Sequence, residues 1–258
     1  MDIASVGGIL LAIIGILGGL KMEGGSLAQV TQPTAMMIVL GGTMGAVMLQ
    51  FPLNIVIAAL RQFMRVFFFA GLKSEAIVAQ LTVFAARART SGILSLDAEL
   101  PGVEDPFLKQ ALMLAIDGTE PAAVRQIMQL ELNNKAEGEE RIPQVFESAG
   151  GFAPTVGIIG AVIGLIQVMQ HLDNIDEVGR GIATAFVTTI YGVGLANLIF
   201  LPAAGKLRIR QQEEQMVKEM MLEGVISIQE GMNPRMIEIK LRTFLFESKK
   251  QEAMQGAA

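Results

Sequence analysis

Thr184, Thr188, Thr189 and Tyr191 are the polar side chains that stand out in an otherwise apolar run of this sequence. Thr184 and Thr188 are four residues apart and share a face of a helix. A stripe of hydroxyls in such surroundings suits one kind of chemistry, the passage of water or a small cation along oxygen atoms. It also has an ordinary explanation, because a threonine in a membrane helix bonds back to the carbonyl of the preceding turn. Tyr191 and Gln167 carry the same two readings. His171 is the only histidine, sits at the edge of an apolar run and reads as interfacial. Cysteine is absent, which removes disulfides and thiolate metal sites. No nucleophile–base constellation, phosphate loop or metal-ligand cluster is present, so neither enzymatic activity nor a cofactor is expected.

The elements that must position these hydroxyls are membrane helices. Apolar stretches run at 3–20, 33–53, 148–170 and 181–204, and none has an interior Asp, Glu, Lys or Arg. Each is long enough to cross a hydrocarbon core of about 30 Å. A protein that relays ions alone keeps an ionisable group at depth. Its absence marks this chain as half of a device, a scaffold whose charged group sits on a partner. The expected fold is all-α and integral to the membrane. It has a first hairpin (1–53), a helical cytoplasmic insert (54–147), a second hairpin carrying the hydroxyls (148–204) and a cytoplasmic helical tail (205–258). The insert and the tail hold nine basic residues each, so 18 of the 20 lie on one side of the four spans. Arg61, Arg65, Lys206, Arg208 and Arg210 lie nearest the spans, and the positive-inside rule makes their side cytoplasmic. Both termini are then cytoplasmic, in a multi-pass membrane protein. The first run has no basic segment before it and no clear cleavage site after it, and reads as an uncleaved span. A net charge of −5 argues against a nucleic-acid partner.

Local signals divide the polar parts into helices. Segment 55–86 is apolar and helical, with a break near Gly71. Asp105-Pro106 opens a helix that Asp117-Gly118 closes, and Thr119-Glu120-Pro121 opens the next. Segment 207–229 is charged and helical, Gly231-Met232-Asn233-Pro234 is a stop and restart, and the last dozen residues read as frayed. Glycines four apart at Gly15/Gly19, Gly41/Gly45 and Gly160/Gly164 suit close helix packing in lipid, within one subunit or between copies. Pro154 and Pro202, near the cytoplasmic ends of the last two spans, read as a helix start or end, or as hinges at the mouth of a conduit.

Three stretches resemble the A-subunit family of the bacterial flagellar stator, MotA and its sodium-driven relative PomA, within the MotA/TolQ/ExbB superfamily. They are Gln32-Pro33-Thr34-Ala35-Met36-Met37-Ile38-Val39-Leu40-Gly41-Gly42-Thr43, the pair Ala153-Pro154-Thr155-Val156-Gly157-Ile158-Ile159-Gly160 with Thr188-Thr189-Ile190-Tyr191-Gly192, and Asn233-Pro234-Arg235-Met236-Ile237-Glu238-Ile239-Lys240-Leu241. Their order matches over nearly the whole chain. The resemblance implies a homopentameric ring in membrane lipid around a MotB-like B-subunit, whose span carries the ion-binding aspartate. It also implies a FliG-like rotor protein as the second partner. Arg89-Thr90-Ser91-Gly92-Ile93-Leu94-Ser95-Leu96-Asp97 fits the family's rotor-facing pattern and assigns rotor contact to Arg89 and Asp97, where the residues alone read as a solvated charge pair. The family's two prolines map to Pro154 and Pro202. The implied ion path comprises Thr155, Ala161, Thr184, Thr188, Thr189 and Tyr191. Sodium-driven members tend to carry threonine where this chain has Ala161, and they share the one that maps to Thr189. A hard cation needs several oxygen ligands, so Ala161 points to protons.

Two other readings are open. An ExbB/TolQ-like proton channel energising envelope transport resembles the last two spans, but usually has three spans in all. A solute transporter acting alone would need a substrate site and interrupted helices, which these spans do not offer.

Overall fold

Asp2 begins the first helix by turning one carboxylate oxygen on the amides of Ala4 and Ser5, at 3.1 and 3.3 Å. Its other oxygen pairs with Lys206 at 2.6 Å. The computed structural model describes residues 2–68 and 74–255, with side chains through 244. The expected break near Gly71 lies outside the described residues. In chain order the α-helices are α1 (Ile3–Met22), α2 (Leu27–Val30), α3 (Pro33–Gln50), α4 (Leu53–Phe63), α5 (Ser74–Ser91), α6 (Pro106–Ile116), α7 (Pro121–Gln170), α8 (Ile175–Leu195), α9 (Leu201–Gln229) and α10 (Pro234–Gln255). Short 3-10 turns cover Met64–Val66 and Ile93–Gly102, and a π-helical turn covers Ala196–Phe200. No strand occurs among the described residues.

The starts and stops follow the local chemistry. Asp105 caps α6 by accepting from the amides of Phe107 and Leu108, and Pro106 fills the first helical position, which needs no donor. Pro121 opens α7, and Asn233 caps α10 by accepting from the Arg235 amide at 3.0 Å. The helix α10 continues to Gln255, through most of the stretch expected to fray. Four helices are long and apolar enough to cross a membrane, and three of the expected spans lie within them, while the expected 33–53 overruns its helix, which ends at Gln50. The second runs over Leu27–Gln50, and the fourth over Ile175–Gln229.

Neither proline ends its helix. Pro154 lies inside α7, and Pro202 lies in the first turn of α9, directly after the π-helical turn. Proline has no N–H for the carbonyl four residues back, and its ring crowds that carbonyl. In the π turn the Leu201 amide reaches back five residues to Ala196. The extra residue loosens the helix where Pro202 would otherwise collide with it.

The chain divides into two compact units. The first holds residues 1–69 and 139–209, and the second holds 70–138 and 210–258. In the first, α7 and α8 approach backbone to backbone. A Cβ on Gly192 would stand 2.5 Å from the Ala153 carbonyl oxygen, and one on Gly164 would stand 2.7 Å from that of Gly181. A Cβ on Gly160 would meet the side chains of Thr188 and Ile38, at 2.8 and 3.2 Å, so the Gly160/Gly164 pair serves packing within the subunit. Gly15, Gly19, Gly41 and Gly45 meet no described side chain or neighbouring backbone within 4 Å. The polar end of this unit is tied by Arg208, which donates to Glu140 at 2.6 Å and to Glu147 at 2.6 Å. These two carboxylates raise the guanidinium's already high pKa.

The second unit is built on a dense apolar core. Leu81, Leu96, Leu112, Met128, Leu222 and Leu241 are nearly inaccessible. On its flank Glu223 accepts from Arg125 at 2.7 Å and also from Lys240, joining α9 to α7 and α10.

Candidate functional site

The hydroxyl residues of α8 fall on two faces. Thr184, Thr188 and Tyr191, spaced by four and three, share one face. Thr184 and Tyr191 meet the residues preceding α3. The Tyr191 hydroxyl donates to the Val30 carbonyl at 2.5 Å and accepts from the Gln32 amide at 3.2 Å. Thr184 spends its single proton on the Arg180 carbonyl, so its oxygen accepts from the Gln32 side-chain amide at 2.7 Å. Gln32 thus bonds both residues and fastens the first hairpin to the second. Gln32 belongs to the motif around Pro33, but nothing in its spacing connects it to residues about 150 positions away. Thr188 is fully buried, and its hydroxyl donates to the carbonyls of Thr184 and Ala185.

Thr189 lies elsewhere. It shares a face with Ile182, Phe186 and Val193, all exposed, and its hydroxyl donates to the Ala185 carbonyl at 3.1 Å. On α7, Thr155 is exposed and donates to the Phe152 carbonyl at 2.8 Å. It shares an outward face with Ile158, Ile159, Val162 and Ile166. Ala161 is half-buried at the border between that face and the seam with α8. The six residues therefore do not gather at one point. Three lie on the face of α8 that meets the first hairpin, while Thr155 and Thr189 lie on open apolar faces. Every threonine among them donates to a carbonyl of the preceding turn, leaving an oxygen lone pair available. His171 stands at the end of α7, where it faces the Gln167 carbonyl at 3.0 Å and Glu177 at 3.2 Å.

The charges of the second unit are displayed by a turn. Gly92 follows α5 with φ of +78°, a conformation that side chains strain to adopt, and starts the 3-10 segment. Ser95 Oγ donates to the Gly92 carbonyl at 2.6 Å, and Leu96 is buried in the core. Arg87 pairs with Glu99, which binds the last turns of α5 to the 3-10 segment. Arg89 and Asp97 are both exposed, with no ion pair to each other or to any other described residue. Among the described residues no cluster of His, Asp and Glu has the form of a metal site.

Helical hairpins with hydroxyl-bearing apolar faces and no interior charge describe a channel subunit, and the comparisons agree. The MotA/TolQ/ExbB proton channel family matches residues 99–220. The Motility protein A N-terminal family matches residues 6–92, which include most of the first hairpin. The chain is 36% identical to Motility protein A of Bacillus subtilis, over 95% of this chain and 91% of that one. It is 30% identical to the chemotaxis protein PomA of Vibrio alginolyticus, over 93% and 97%. It superposes on the solved C. jejuni MotAB with a TM-score of 0.90 at 31% identity, covering 95% of this chain and 96% of that one. For the flagellar MotAB stator complex of Bacillus subtilis the TM-score is 0.86 at 35% identity, covering 93% and 95%. The chain belongs to the motility protein A family. The N-terminal match favours this branch over the ExbB/TolQ reading.

Proposed function

We propose that this chain is the A-type stator subunit of a bacterial flagellar motor. With a MotB-like B-subunit it forms an ion channel, and ion flux through the pair drives rotation and torque on the rotor. It is a channel subunit with no catalytic role. The observation that carries this reading is a mismatch: Thr155 and Thr189 lie on open apolar faces, yet no span has an interior carboxylate. A B-subunit span carrying an aspartate supplies the missing group, and five copies of this chain surround two such spans. In this arrangement Thr155, Ala161 and Thr189 line the ion path. Thr184, Thr188 and Tyr191 hold the hairpins in register behind it. Pro154 and Pro202 give the mouth of the path its compliance.

The ion is the proton. A sodium path needs several oxygens held together, and Ala161 removes one hydroxyl, whereas a proton passes along water to the partner's carboxylate. Arg89 and Asp97 form the contact with a FliG-like rotor protein. The protein resides in the inner membrane with both termini and the insert in the cytoplasm. Arg208 is neutralised locally by Glu140 and Glu147, but the positive-inside rule counts Lys and Arg, not net charge.

The test is proton flux in liposomes. The purified chain alone is expected to be silent, and the chain co-purified with a one-span B-subunit is expected to conduct. Flux from the chain alone would refute the half-device reading.

A further inference from the structure

The 3-10 segment that displays Asp97, just after the last turn of α5 with Arg89, also displays a large apolar side chain. Leu94 is 72% exposed, the highest exposure of any leucine in the second unit with a described side chain. The cause is the geometry of the 3-10 segment Ile93–Gly102. With three residues per turn, residues three apart eclipse one another. Ile93 and Leu96 therefore share the inward edge, where Leu96 is 1% exposed and Ile93 packs against the core. Leu94 and Asp97 share the outward edge. The edge is held from three sides: Leu96 anchors it, Ser95 bonds the Gly92 carbonyl, and Glu99 pairs with Arg87 on α5. A leucine on the same edge as the unpaired Asp97, on a braced turn that follows the last turn of α5 with the unpaired Arg89, has the composition of a contact hot spot, an apolar anchor with a charged rim.

We propose that Leu94 is the apolar anchor of the rotor contact, a role that rests on the reading of Arg89 and Asp97 as rotor-facing. The complementary surface has an acidic group opposite Arg89, a basic group opposite Asp97 and an apolar depression between them. The division of labour follows from magnitudes. Exposed charges steer encounter and set register but add little affinity, whereas desolvating a leucine side chain slows dissociation. The charges select the partner, and Leu94 sets how long each contact lasts under load. Arg87 and Glu99 are positioning residues that keep the edge in place.

The experiment uses the complete stator in cells, with Leu94→Asn, Leu94→Met and Arg89→Glu compared for three readouts. These are ring assembly in the membrane, the number of tagged stators engaged at a motor, and stall torque of tethered cells. Leu94→Asn is expected to assemble normally and to lower engagement by about tenfold, the scale of losing one buried leucine. Leu94→Met is expected to retain most of it. Wild-type engagement in Leu94→Asn with a defect in Arg89→Glu overturns the anchor and leaves the rotor face standing. Wild-type engagement in both overturns the rotor face itself. Equal losses in Leu94→Met and Leu94→Asn count against apolar burial. Failed ring assembly in Leu94→Asn assigns the side chain to a contact between copies and overturns the proposal.

Discussion

Glu223 shows how one side chain ties the second unit together. Its carboxyl is held below its usual pKa of 4.5, first by the hydrogen bond from Arg125 and then by that from Lys240, against the opposing cost of burial. A carboxylate whose folded pKa lies below its unfolded one contributes stability above the unfolded value and loses it as pH falls through the folded one. Glu223→Gln is therefore expected to cost about 1–3 kcal/mol at neutral pH, toward the lower figure because both cations are partly in solvent. The cost should shrink as pH falls from about 4.5 through the lower folded value, below which both proteins carry a neutral group there. Thermal unfolding of the wild type and the variant between pH 7 and pH 3 measures both; parallel curves would rule out this account. The residue scale also separates Thr189 from its neighbours. One step along α8 turns a side chain by about 100°, so Thr188 is buried while Thr189 shares a face with exposed apolar residues.

At the scale of elements, the seam between α7 and α8 depends on glycine because the two backbones nearly touch. A methyl on Gly192 would meet the Ala153 carbonyl oxygen, the Gly157 Cα and the Pro154 Cα, none of which is a flexible side-chain end. Gly194, two residues on, has open space. Gly192→Ala is expected to destabilise the hairpin by about 1–3 kcal/mol through overpacking, and Gly194→Ala to be close to neutral. The comparison is read from the melting temperature and membrane yield of the purified complex. Equal behaviour of the two variants would mean that the seam is not limited by contact. The π turn beside Pro202 belongs to this scale too, since it loosens the fourth span just before Lys206 and Arg208.

At the scale of the whole molecule, 18 of the 20 basic residues lie in the insert and the tail, and the proposed topology with the insert and both termini in the cytoplasm follows from them by the positive-inside rule. Reporter fusions at Ser26 and at Asp105 are expected to give opposite compartments, and matching compartments would end the four-span topology. In the proposed topology Arg89, Leu94 and Asp97 are open to a cytoplasmic rotor, and the hydroxyl-bearing faces are left to the partner span.

Much of this was legible in the sequence because its causes are local. Span length, the absence of interior charge, the caps at Asp105 and Asn233, and prolines at first helical positions depend on residues within a few places of each other. The family resemblance rested on motifs of the same kind. Tertiary structure decided what depends on distant neighbours. It separated Thr184 and Tyr191, bonded to Gln32, from Thr189 on the open face, although all lie within eight residues. It carried one helix through Pro154 and another, by way of a π turn, through Pro202, both of which local rules allowed to be ends. It turned Leu94 outward and Leu96 inward through the eclipsed geometry of a 3-10 segment, which an α-helical or β period would not forecast. Pattern records the preference of each short stretch; which face meets which is set by the summed packing of helices far apart in the chain.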